Sequence, residues 1–172
     1  MLTQRSFISS TLLFLLAFVL LAGCKIYTFN NASIDPKVKT IRLEFIDNRA
    51  TYINPQLSTK LNDKLQQKIV NQTRLTRTNS DSAHYQIGGY ISRYDATQTV
   101  GVSNQQASTN RLTVTVHIKF HNAVENKTEE FDVSRNFDFS ANLTLTQAEG
   151  QLLDEVVRNL TDEIFNRIFS NW

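Results

Sequence analysis

Asn110-Arg111-Leu112-Thr113-Val114-Thr115-Val116-His117-Ile118-Lys119-Phe120 alternates polar and apolar residues without a break. Side chains two apart on a strand share a face, so Leu112, Val114, Val116, Ile118 and Phe120 turn toward a core while Arg111, Thr113, Thr115, His117 and Lys119 turn away. After a turn at Glu125-Asn126-Lys127, Phe131, Val133, Phe137 and Phe139 keep the same period, with Arg135 as the exception. Adjacency makes these two segments a hairpin.

Upstream, Ala83 to Asp95 carries Tyr85, Ile87, Tyr90, Ile91 and Tyr94 and predicts another strand. Gly88-Gly89 interrupts it, and a glycine pair inside a strand marks a bulge or a close approach of two backbones. The polar stretch from Thr97 to Asn110 reads as a long hairpin connection or flap. Val38 to Ile46 alternates again, with Ile41, Leu43 and Phe45 on one side and Arg42 and Glu44 on the other.

Two helices complete the pattern. Asn54-Pro55 predicts a start, with Asn54 capping free amides and Pro55 in the first turn, and Leu57, Leu61, Leu65 and Ile69 form one narrow apolar stripe ending near Val70. Lys60, Lys64 and Lys68 make a second stripe, which reads as a solvated face rather than a phosphate-binding ridge. Thr146-Gln147-Ala148-Glu149 predicts a capping box ahead of a long helix whose core stripe is Leu152, Val156, Leu160, Ile164 and Ile168, widened by Leu153, Val157, Phe165 and Phe169. Asp154/Arg158 and Glu163/Arg167 stand four apart with the acid first, the favourable order for pairs along an exposed helix face.

The order is β-α-β-β-β-α. A right-handed crossover makes the first two strands parallel and a meander adds the next two, which predicts an α+β fold: a four-stranded mixed sheet with two helices on one face. The opposite face, bearing Arg42, Glu44, Arg111, Thr113, Thr115, His117 and Lys119, stays uncovered by this chain.

The N-terminus has a different logic. Arg5 precedes an apolar run from Leu12 to Ala22. Eleven residues make roughly 16 Å of helix, too short for a hydrocarbon core of about 30 Å, so the run is a signal-peptide core and not a span. It ends in Leu21-Ala22-Gly23-Cys24, with the chain's single cysteine last, and resembles a bacterial lipobox. The small residues suit a peptidase, and the resemblance implies a diacylglycerol thioether and an N-acyl chain on Cys24, with no other cofactor. Several acyl chains anchor stably where one does not. The expected organisation is a signal peptide over 1–23, an acylated N-terminus and tether over 24–37, and one domain over 38–172.

Cleavage leaves 149 of the 172 residues, enough for a core, and removing Arg5 lowers the formal charge from +2 to +1. Near-neutrality gives no footprint for nucleic acid. With Cys24 acylated no thiol is left for a disulfide, a metal or a nucleophile. His117 and His121 lie roughly 13 Å apart on a strand, and Asp132 and Asp138 roughly 20 Å, too far for a shared metal or an acid/base pair. No phosphate loop or nucleophile elbow is present in the sequence. The expectation is a non-enzymatic protein without a metal.

Ile26-Tyr27-Thr28-Phe29 after the lipobox, Asn48-Arg49-Ala50, Asn54-Pro55-Gln56-Leu57-Ser58, Asn110 to Val116, and the terminal Ile164-Phe165-Asn166 and Phe169-Ser170-Asn171-Trp172 together resemble the LptE family as found in Bacteroidetes. That resemblance implies a sheet-and-two-helices fold and an outer-membrane lipoprotein that plugs the LptD β-barrel, assists its assembly, and binds lipopolysaccharide on its way to the outer leaflet. Lys25, in place of an aspartate after the cysteine, fits sorting to the periplasmic face of the outer membrane. Lipopolysaccharide recognition needs cations aimed at phosphates. Arg42, Arg111 and Lys119 on the uncovered face, with Arg49 and Arg93, are the candidates for lipopolysaccharide or barrel contact. Asp81-Ser82-Ala83 resembles a short O-glycosylation sequon of Bacteroidetes, with Ser82 as acceptor. The alternative is another periplasmic accessory lipoprotein, pilotin-like or a secretion-system binding module, with no lipopolysaccharide role.

Overall fold

In a computed structural model, residues 34–99 and 109–170 are described, all within one compact unit, Asn31–Trp172. The leader, Cys24, most of the tether, the centre of the 97–110 connection and Asn171-Trp172 lie outside the described residues. The elements are β1 (Thr40–Leu43), β2 (Asp47–Asn48), α1 (Leu57–Gln72), β3 (Thr76–Arg77), β4 (Tyr85–Thr99), β5 (Thr109–Asn122), β6 (Lys127–Ser140) and α2 (Leu145–Phe169).

The expected α+β arrangement is present, with two short strands added to the expected four. The sheet order is β3-β1-β4-β5-β6, with β2 also on β4. β1 is parallel to β4, and β4, β5 and β6 form an antiparallel meander. The alternation in β5 is obeyed throughout, its five inward residues being buried. They join Leu57, Leu61, Leu65 and Ile69 of α1 and the buried stripe of α2 in a single core. Leu152 and Ile168 lie at the margin of that stripe rather than in its centre. Ile34, just before the domain, also packs against the core.

β1 departs from the expected single strand over Val38 to Ile46. Leu43 pairs with Ile87 but Asp47 pairs with Tyr90, so one extra residue is inserted before β2. A one-residue insertion turns the following side chains over. Phe45 therefore points outward, 57% exposed, and Ile46 is buried, its amide held by Asn62 Oδ1 at 2.9 Å. β3 arises from backbone bonds alone, Thr76 N to Lys39 O at 2.8 Å and Thr78 N to Ile41 O at 2.9 Å.

Helix starts also moved. Asn54 Oδ1 accepts from Gln56 N and Leu57 N, so it caps free amides as expected, but the helix begins two residues after Pro55. α2 is capped by Thr144, not Thr146: its hydroxyl accepts from Gln147 N and the Gln147 side chain accepts from Thr144 N. Glu149 is thereby free of a capping role.

The acids of α2 make their direct ion pairs across elements, although Arg158 still acts on Asp154 along the helix. Lys60 binds Asp154 at 2.8 Å and Lys68 binds Asp162 at 2.7 Å. Equal spacing of the two pairs means that α1 and α2 run side by side in the same direction. Glu163 pairs with Arg135, which explains a cation on the helix side of β6, and Arg167 lies over the Phe131 ring at 4.6 Å. The lysine stripe is thus partly a seam between helices.

Candidate functional site

β1, β4, β5 and β6 carry the face that the described helices leave uncovered. Each polar residue of β5 meets a polar residue of β6 directly across the ladder, where side chains interact most strongly. Arg111 donates two bonds to the carboxylate of Asp138, at 2.7 and 2.9 Å. Thr113 donates to Asn136 at 2.9 Å, and the hydroxyls of Thr115 and Ser134 are 2.9 Å apart. His117 Nδ1 lies 2.8 Å from Asp132, and Lys119 lies 3.3 Å from Glu130. The Arg111 hydrogen bond holds Asp138 below the usual carboxylate range and Asp138 in turn raises Arg111.

β4 supplies the middle of this face through Gln86, Gly88 and Tyr90, which lie opposite His121, Lys119 and His117. The register then slips between Ile91 and Arg93, leaving Ser92 as the extra residue and returning Arg93 to the polar side opposite Thr115. The bulge thus follows the glycine pair instead of falling on it. The pair serves the other role expected of it, close approach. A Cβ built on Gly89, at φ +158°, would stand 2.1 Å from the backbone oxygen of His117.

The five candidate cations are therefore in different states. Arg42 is held by Glu44 at 2.9 Å and by Asp81. Arg111 and Lys119 are held by β6. Arg49 is 3.9 Å from Asp47 and sits 4.7 Å above the Tyr90 ring, whose other neighbour is His117. Arg93 is exposed and, among the described residues, has no ion pair. Ser82 lies in an exposed turn, its hydroxyl 2.8 Å from that of Ser80. No group of three or more His, Cys, Asp or Glu among the described residues has a metal-binding arrangement, and no described helix is long and apolar enough to cross a membrane.

The LptE family model, whose description is lipopolysaccharide-assembly, matches residues 38–168. The chain belongs to the LptE family. The match takes in every strand of the LptE sheet and nearly all of α2. A comparison with curated proteins finds no match. Among solved structures, this LptE chain is similar to the PelC dodecamer from Paraburkholderia phytofirmans, at 10% identity over 81% of this chain and 94% of that one, with a TM-score of 0.49. A minor lipoprotein from Acinetobacter baumannii is 18% identical over 77% and 96%, TM-score 0.46. The rare lipoprotein B from Shewanella oneidensis is 9% identical over 74% and 89%, TM-score 0.46.

A second polar cluster went unseen in the sequence. Glu149, 8% exposed, accepts from Tyr94 Oη at 2.8 Å and Tyr52 Oη at 3.3 Å. Tyr52 stacks on Tyr94 with ring centres 5.5 Å apart. The first turns of α2, the loop before α1 and β4 are thereby clasped together. A visible signal existed, since Glu149 stands four residues before Leu153 on the buried stripe.

Burial first, then the hydrogen bond and charge of Glu149, push the Tyr94 phenol well above its ordinary value of 10.0; burial, then Glu125 and Asp35, raises Tyr85. A raised folded value means that the folded state keeps protons the unfolded state has released. Stability is then full below pH 10 and falls as pH rises above it. Denaturation midpoints measured from pH 8 to 11.5 are expected to drop steeply above pH 10, and less steeply in Tyr94→Phe.

Proposed function

We propose that this protein is a non-enzymatic outer-membrane lipoprotein, anchored through acylated Cys24, that joins an LptD-like β-barrel as plug and assembly partner and assists lipopolysaccharide passage to the outer leaflet. Residues 1–23 are the cleaved signal peptide, 24–37 the acylated tether and 38–172 the working domain. Family membership over 38–168 is the observation that carries the reading.

The sheet face fits such a place. Wide barrels have polar interiors, and a face most of whose charges are already paired side by side enters one with few charges left unmatched. Lipopolysaccharide phosphates need cations with unspent hydrogen bonds. Arg93 has them, whereas Arg42 and Arg111 must first leave a carboxylate. Arg49 and Lys119, with their longer ion pairs, come between. Ser82, exposed ahead of β4, is the acceptor for a glycan on the domain surface.

The test is lipopolysaccharide retention by the mature lipoprotein purified in mild detergent. Arg93→Ala is expected to weaken retention about tenfold, the loss of one charge-assisted contact, and Arg111→Ala by less than about threefold. Equal effects from both, or none from Arg93→Ala, would count against phosphate recognition by this face.

A further inference from the structure

The polar face has a depression over Gly88-Gly89. Gly88 presents no side chain to this face, which lowers the surface beside β5 and leaves a cavity of about 670 Å³, within the range that small ligands fill. Asp47, Arg49, His117, Lys119 and Glu130 form its wall, and Phe45 stands exposed on its rim.

Hydrogen-bond lengths change at this point. Up the ladder the side-chain pairs are tight, 2.7 to 2.9 Å from Arg111 to the Nδ1 of His117. Around the depression Glu44 to Arg42 and His121 Nδ1 to Thr128 stay at 2.9 Å, but three pairs lengthen: Lys119 to Glu130 is 3.3 Å, His117 Nε2 to Glu130 is 3.7 Å and Arg49 to Asp47 is 3.9 Å. Polar groups more than about 3.5 Å apart leave a place for a bridging hydroxyl.

Charge decides which ligand fills that place. Three carboxylates, Glu44, Asp47 and Glu130, stand among the cations Arg49 and Lys119, with Arg42 on Glu44 at the edge, so the Lys and Arg charges do not exceed the carboxylates around the cavity. A phosphate only accepts hydrogen bonds at its ionised oxygens and is repelled by three carboxylates. A sugar hydroxyl donates and accepts at once, so one hydroxyl spans a carboxylate and its stretched cation. Phe45 offers an apolar surface to the C–H face of a sugar ring.

We propose that this depression binds an uncharged oligosaccharide, the neutral sugars of lipopolysaccharide. The source of the sugar rests on the lipopolysaccharide reading above; the site chemistry does not. Arg49 and Lys119 then act on hydroxyls, leaving phosphates to Arg93.

Saturation-transfer NMR on the full mature lipoprotein, in an amine-oxide detergent that carries no sugar, tests this. The probe is dephosphorylated core oligosaccharide released from the producing bacterium's own lipopolysaccharide, with inorganic phosphate as competitor. Sugar signals are expected with the wild type and are expected to survive excess phosphate. They are expected to fall about fivefold or more in Gly88→Val, which fills the depression, and in Asp47→Ala/Glu130→Ala, which removes exposed acceptors at little cost to the fold. Absence of signal with the wild type, displacement by phosphate, or full signal in both folded variants would overturn the site. Barrel capture scored on the same samples separates the two readings: barrel retained with no sugar signal sinks this site alone, and sugar bound with no barrel supports it while sinking the plug.

Discussion

Gly89→Ala is expected to destabilise the domain by about 4 kcal/mol or more, the severe end of single-residue effects. The new methyl carbon would lie 2.1 Å from His117 O and 3.2 Å from Ile118 Cα. Both are backbone atoms in the middle of β5, and neither moves unless the β4/β5 ladder opens. A domain of this size holds only about 5–15 kcal/mol in reserve, so the substitution removes much of it. Gly88→Ala is the control, because its methyl meets the end of the Glu44 side chain, 2.6 Å away, which can shift at the cost of an exposed ion pair with Arg42 and without moving backbone. Urea unfolding followed by circular dichroism should show a large loss for Gly89→Ala and little change for Gly88→Ala. Equal midpoints would contradict the close approach of the two strands.

Glu149→Leu is expected to cost about 2–3 kcal/mol, because it leaves the buried hydroxyl of Tyr94 without an acceptor and releases Tyr52. Glu149→Gln keeps an acceptor oxygen and should cost about 1 kcal/mol. Adding Tyr94→Phe to Glu149→Leu removes the orphaned hydroxyl, so the double variant should recover part of the loss rather than add to it. Strict additivity in that cycle would mean that the two side chains do not interact. Hydrogen exchange should also quicken in the loop between β2 and α1, which Tyr52 and Asn54 tie down.

What the sequence revealed and what it hid follow from the range of the forces involved. The β5 strand was legible because its five apolar and five polar residues alternate, and α1 because Leu57, Leu61, Leu65 and Ile69 repeat every four. The Phe45-Ile46 pair was not, since two adjacent apolar residues carry no mark of which one faces inward. Only the registers with Ile87 and Tyr90 reveal the insertion between them. β3 has no apolar alternation, and its place depends on β1 already being there.

Two overlapping capping boxes stood before α2, Thr144 with Gln147 and Thr146 with Glu149. Burial of Glu149 against Tyr94 is a tertiary fact, and it decides for the first. Period alone placed Arg42, Arg111 and Lys119 on the polar face, whereas Arg93 reaches it only through the bulge at Ser92. Their partners Asp81, Glu130 and Asp138 come from other segments, so which cation is spent and which is free was invisible until the strands were aligned. The same holds for the depression over Gly88, which exists because a missing side chain on the polar face meets a gap between neighbouring strands.

These placements give the face a division of labour: paired charges that tolerate a polar lumen, an Arg93 with no ion pair among the described residues, and a cavity with stretched pairs suited to hydroxyls. The barrel is the premise that joins them. The measurement that tests it most directly is isolation of tagged full-length protein from outer membranes in mild detergent, with mass spectrometry of what accompanies it. A near-stoichiometric LptD-like β-barrel is expected. Recovery of the lipoprotein without any barrel, under conditions that keep other barrel complexes intact, would contradict the plug.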